Sequence, residues 1–205
     1  MTPALPSSPA ALRNREPILG VLRDWLPEHG RVLEMAAGTG EHAVFLAAAL
    51  PGLLWRPTDA DAGALAVIAA RRAAEGPANL LPPLRADATD PDGWPTEAVD
   101  GSPDAVVAIN MIHIAPWAAC EGLIAGAARN LKPGGVLFLY GPFQETGVPT
   151  AVSNQSFGAS LRARDPRWGL RDLDAVTTRA GRRGLEQVAQ VAMPANNLSV
   201  VFRRA

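Results

Sequence analysis

The chain has 205 residues, 19 Lys and Arg against 20 Asp and Glu, and a formal net charge of -1. With 48% hydrophobic and 19% charged residues it excludes a disordered chain and has enough apolar material for one α/β domain with a substantial core. No basic surplus draws it towards nucleic acid.

Residues 1–11, rich in Pro, Ala and Ser, are expected to form a mobile tail, with the folded domain running from 12 to 205. Leu12, Ile18, Leu19, Leu22 and Leu26 recur at helical spacing until Pro27 and Gly30 stop the pattern. Strand and helix signals then alternate: strand 31–36, helix 41–50, strand 53–57, helix 62–75, strand 79–86, strand 104–109, helix 116–131 and strand 136–140. This repeated order predicts a Rossmann-like α/β fold, a mostly parallel sheet wrapped by helices on both faces. Residues 143–170 have weak periodicity and suggest a loop-and-helix insertion, and 172–182 look helical. Two last strand-like runs, 185–192 and 198–203, flank Met193-Pro194-Ala195-Asn196-Asn197, a tight turn by its chemistry. The expected whole is a seven-stranded sheet closed by a C-terminal antiparallel hairpin.

Ligands of open α/β sheets bind beyond the carboxyl ends of the strands. After the first strand, Glu34-Met35-Ala36-Ala37-Gly38-Thr39-Gly40-Glu41-His42 brings two glycines where backbone can approach a ligand. Gly38, Gly40 and Ala43 also fit the dinucleotide spacing. A pyrophosphate, however, needs a free helix N-terminus, and Glu41 occupies it in sequence. Glu34 and Glu41 suit a cation better, although Glu41 could simply complement the helix dipole. Asp59 lies about twenty residues beyond the glycines, where a ribose-binding carboxylate belongs, while Asp61 reads as an N-cap. Asp87, with Ala88, follows the third strand, either as an acceptor for an adenine amine or as a loop cap. Asn110, Met111 and His113 end the fourth strand, and His113 could orient or deprotonate an acceptor or be a structural histidine.

Together these residues resemble a known family. Arg13-Asn14-x-x-Pro17-Ile18-Leu19, Leu33-Glu34-x-Ala36-x-Gly38-Thr39-Gly40 and Asn110-Met111-x-His113 are similar to methyltransferase-like protein 26 and its relatives. Tyr140-Gly141-Pro142-Phe143, Asn154-x-x-Phe157, Trp168-Gly169-Leu170-Arg171-Asp172 and the 193–197 turn extend the likeness over about residues 12–204. At Ala37 related sequences often carry Ser. The resemblance implies a class I methyltransferase using S-adenosylmethionine (SAM), and it names no methyl acceptor. The implied cofactor contacts are Arg13, Asn14, Glu34, Ala36, Gly38, Gly40, His42, Asp59, Asp87, Ala88, Asn110 and Met111. His113 is the candidate base or orienting group, with Asn110 and Tyr140 behind it, and no metal is expected. Residues 154–168 and 194–197 are expected to roof the cleft with Arg13 and Asn14; in the plainer reading Trp168 packs in the core and the asparagines only make the turn.

Methyl transfer is an in-line displacement that depends on positioning and exclusion of water, so a strong base is optional. Two rivals stand beside it, a nicotinamide oxidoreductase and a SAM-binding protein without catalysis. A small-molecule acceptor is favoured over nucleic acid, and the sequence leaves the oligomeric state open. The lone Cys120 suits a reducing compartment and reads as a buried hydrophobe. The N-terminus has no basic start followed by an apolar stretch, and the longest uncharged run, 105–120, is too short and polar to span a bilayer. A cytoplasmic protein is expected.

Overall fold

The computed structural model describes residues 5–94 and 101–205. Its elements run α1 (Pro9–Trp25), β1 (Gly30–Met35), α2 (Glu41–Ala49), β2 (Leu53–Asp59), α3 (Ala62–Glu75), β3 (Leu84–Arg85), β4 (Ala105–Ile109), α4 (Trp117–Asn130) and β5 (Val136–Gly141). There follow β6 (Phe143–Gln144), α5 (Val152–Arg164), β7 (Arg171–Asp172), α6 (Leu173–Gly181), β8 (Leu185–Met193) and β9 (Asn197–Arg204). Seven strands form one sheet in the order β3-β2-β1-β4-β5-β9-β8. The first five are parallel, and β9 runs antiparallel to both β5 and β8. The expected fold class is therefore observed, hairpin included.

Alternation along the central strands builds two cores. Val106 and Ala108 of β4, with Leu137 and Leu139 of β5, face α4 and α6. Ala105, Val107 and Phe138 point the other way, onto Ile18 and Leu22 of α1 and Leu46 of α2. Both faces of β4 and β5 are covered, which is why their sequences read as unbroken apolar runs. A fully buried side chain such as Phe138 or Ile18 contributes about 1.5–3 kcal/mol through burial.

The structure departs from the sequence pattern in three places. α1 begins at Pro9, not residue 12, because the Ser8 side chain caps it by accepting from the Ala11 amide and Pro9 occupies the first turn. Of the expected tail, residues 1–4 lie outside the described residues, and 6–8 are hydrogen-bonded to the domain. The expected strand 79–86 shrinks to Leu84–Arg85 plus a single bridge between Leu80 and Trp55. Pro82 and Pro83 interrupt it, since neither has an N–H for a ladder. Lastly, Trp168 is only half-buried, with the Arg164 guanidinium 5.1 Å from its ring centre, so it does not pack in the core.

Candidate functional site

A cavity of about 530 Å³ opens at the carboxyl ends of β1, β2 and β4, where the strand order turns back on itself. Glu34, Ala36, Gly38, His42, Asp59, Asp87, Ala88, Asn110 and Met111 all line it, so nine of the twelve expected cofactor contacts converge on one space. The three that do not line it are Arg13, which is exposed, Asn14, which is buried behind it, and Gly40. Gly40 is the left-handed N-cap of α2 (φ 74°), and a Cβ there would press on Ile68 at 3.4 Å; its role is to make the turn.

The loop after β1 is held by the strand beside it. The Gly38 amide donates to Asp59 Oδ2 at 3.0 Å, and the Asp61 amide donates to Asp59 Oδ1 at 3.1 Å. Asp59 is thereby fixed while each oxygen keeps a lone pair for a further donor. Asp61 caps α3 through the Ala64 amide, as its position suggested. Asp87 accepts from both the amide and the hydroxyl of Thr89, and these bonds hold its carboxyl below the usual range. It is thus both a loop cap and a cavity wall. Ala36 and Asn110 adopt positive φ (both 55°), a conformation that costs a residue with a Cβ roughly 1–2 kcal/mol. Strain of this kind gathers where a site fixes its backbone.

Glu34 is buried, its carboxylate accepting from the Trp55 indole at 2.6 Å. Burial pushes its pKa up to about 7, the indole pulls the other way, and Asp59 adds repulsion. His42 sits in the first turn of α2 with Nε2 2.8 Å from Asn14 Oδ1, and burial drives its pKa down to about 4. Asn14 also bonds the buried Tyr140 hydroxyl, whose pKa burial raises. No Lys or Arg lines the cavity among the described residues.

Two expectations change. Glu41 does not line the cavity. Its carboxylate accepts from the Ser7 hydroxyl (2.9 Å), the Ser8 amide (2.6 Å) and the Thr39 hydroxyl (3.0 Å). It therefore anchors the N-terminal segment and does not face a ligand. His113 also lies outside the lining, in a short 3₁₀ turn, only 2% exposed. Its ring packs edge-on against Phe157 and so close to Gly141 that a Cβ there would stand 2.9 Å from Nδ1. Burial and the nearby Arg171 lower its pKa to about 4. Conversely, Ser8 and Ala11 line the cavity although they fall in the expected tail. The Ser-Pro helix-start signal at 8–9 could have revealed them.

The roof is divided. Asn154 donates to the Asn196 carbonyl at 2.8 Å, tying α5 to the hairpin turn, where Ala195 and Asn196 both have positive φ. Asn154, Asn196 and Asn197 line a separate cavity of about 250 Å³ that neither Arg13 nor Asn14 lines. Cys120 is buried, and its thiol is pushed up to about 12 by burial, which makes it inert. Among the described residues no helix is long and apolar enough to cross a membrane.

Residues 5–204 match the family described as "Protein of unknown function (DUF938)". The chain belongs to that family. The DUF938 fold seen here recurs in solved methyltransferases. A candidate sarcosine dimethylglycine methyltransferase from Galdieria sulphuraria superposes with a TM-score of 0.74 at 18% identity, over 96% of this chain and 87% of that one. Human N-acetylserotonin methyltransferase, in complex with SAM, gives 0.77 at 13% identity over 96% and 53%. An O-methyltransferase family protein from Burkholderia thailandensis gives 0.73 at 16% identity over 96% and 57%. The chain thus spans just over half the length of the last two.

Proposed function

We propose that this DUF938 member is a SAM-dependent methyltransferase acting on a small molecule. One observation carries the reading: the cavity brings together Glu34, Asp59 and Asp87 with no Lys or Arg among the described residues of its wall. A dinucleotide would bring a diphosphate into that acidic space with no cation to receive it. SAM brings a sulfonium and an ammonium, and when bound it supplies an electrophilic methyl group. Asp59 has the free lone pairs and fixed orientation to accept from both hydroxyls of a ribose. Asp87 has one oxygen free of Thr89 for an adenine amine, beside the apolar wall of Ala88 and Met111.

The likeness to methyltransferase-like protein 26 at the Gly38–Gly40 and Asn110–His113 motifs supports the same reading, as do the activities of the fold neighbours. Small acceptors appear in those names, and we extend that class to this chain. Asn110 lines the cavity and keeps its proposed role beside the reacting centre, whereas Tyr140 is buried outside the lining, where it bonds Asn14, and serves as a support behind the wall. His113 enters only as a support beneath Phe157. A buried, inert Cys120 accords with a cytoplasmic setting.

Calorimetry with pure protein tests this directly. S-adenosylhomocysteine (SAH) is expected to bind, NAD is not, and Asp59→Ala should weaken SAH by about 1–3 kcal/mol, the cost of stranding buried polar partners. Tight NAD uptake without SAH binding would sink the proposal. Transfer of a labelled methyl to a metabolite pool then separates an enzyme from a binding protein.

A further inference from the structure

Three side chains from three elements meet behind the cavity wall. Asn14 of α1 bonds His42 of α2 through Oδ1 and also bonds the Tyr140 hydroxyl at the end of β5. An amide oxygen can only accept, so the His42 Nε2 facing it must carry the proton. The neutral imidazole then has a bare Nδ1. No protein hydrogen bond reaches that Nδ1 among the described residues, and the ring stands on the cavity wall.

We propose that Asn14 is a positioning residue: it locks His42 as the Nε2–H tautomer, so that Nδ1 faces the cavity as an uncharged acceptor for the ammonium group at the amino-acid end of the cofactor. This rests on the methyltransferase reading and adds to it which group recognises that end of the ligand. The logic is that of a histidine oriented by a third residue, with one difference. A carboxylate at position 14 would stabilise the imidazolium, which repels a cation and has no lone pair to offer. An amide orients the ring and leaves it neutral, in keeping with a pKa that burial lowers, with the Glu41 carboxylate of α2 pulling it up and the Arg15 guanidinium of α1 pushing it down. The remaining wall contributes Glu34, Asp59 and Asp87, so a cationic donor is the partner this acceptor suits. His113 offers no such acceptor to the cavity, because its ring lies outside the lining and is enclosed by Phe157 and Gly141.

The discriminating probes are SAH, which has the amino-acid end, and 5′-methylthioadenosine, which lacks it. His42→Phe keeps the ring and removes the acceptor; SAH should bind about tenfold more weakly while methylthioadenosine stays within about twofold. Asn14→Asp should make SAH affinity fall as pH drops through the raised histidine pKa, again sparing methylthioadenosine. Independently of any variant, ¹⁵N spectra of the wild-type chain should show His42 as the Nε2–H tautomer between pH 6 and 8. Its Nδ1 resonance should move on adding SAH and stay put with methylthioadenosine. A parallel loss for both ligands would reduce the trio to a strut between helices and overturn the inference, as would an Nδ1–H tautomer. If the wild type bound neither ligand, the methyltransferase reading itself would fall, and the inference with it.

Discussion

Glu34 shows how much one buried group can decide. Its pKa stands at about 7, against 4.5 in an unfolded chain, chiefly because burial penalises the carboxylate. Between those values the folded state holds a proton that the unfolded state has lost. The stability Glu34 contributes is therefore fully present below pH 4.5 and is lost as pH rises through 7, a swing on the order of 3 kcal/mol. A cation entering the cavity reverses the preference, since an opposite charge within about 4–6 Å favours the ionised form. SAM, with its sulfonium, should consequently bind with proton release near neutrality, and SAH should release fewer. We expect the ratio of SAM to SAH affinity to rise severalfold from pH 6 to 8, and Glu34→Gln to flatten it. Calorimetry in buffers of different ionisation enthalpy counts the protons; a flat ratio in the wild type would refute the account.

Among the elements, the segment leading into α1 matters most to the site. Arg71 of α3 donates to the Thr39 carbonyl at 2.7 Å and to the Pro6 carbonyl at 2.5 Å, while Glu41 holds Ser7 and Ser8. Residues 6–8 are thus clasped from two helices, and Ser8 and Ala11 become cavity wall. Glu41→Gln should weaken the clasp by about 1 kcal/mol, the net worth of an ordinary hydrogen bond, because solvent screens the exposed carboxylate. Exchange of the Ala11 and Leu12 amides should quicken, and SAH should dissociate faster. Unchanged exchange there would show that the serines contribute nothing. Much of this architecture is legible in the sequence: helix 62–75 is read to the residue, and the alternation of strand and helix along the chain follows from the changing periods, whereas the order of strands in the sheet does not. What escaped the sequence were competitions between local signals. Two prolines cut the third strand to Leu84–Arg85 although its apolar pattern ran on. A helix start at Ser8-Pro9 was overshadowed by a Pro-, Ala- and Ser-rich composition. In the site, Asp59 and Asp87 were readable because the fold puts a residue after each strand at one edge. The direction a side chain then takes was not readable, which is why Glu41 and His113 turned out to face away.

For the whole molecule, buried titratable groups pull in opposite directions. His42 and His113 both fall to about 4 on burial, from 6.5, so the folded state refuses protons that the unfolded chain accepts. Their contribution is complete above pH 6.5 and is lost as pH falls through 4. Glu34 does the reverse over nearly the same span. Between pH 6.5 and 4.5 unfolding therefore takes up two protons at the histidines and releases one at Glu34, a net uptake of about one. Each net proton changes stability by about 1.4 kcal/mol per pH unit, so the chain should lose on the order of 2–3 kcal/mol across that window. His113→Phe removes one titrating group from a site outside the cavity, where the ring contact with Phe157 is replaceable by another aromatic. Its stability should then be nearly level from pH 6.5 to 4.5, whatever its absolute value. Urea titrations of both proteins at three pH values within the window give the slopes. Equal slopes for wild type and variant would mean that His113 is not the buried neutral group the packing makes it.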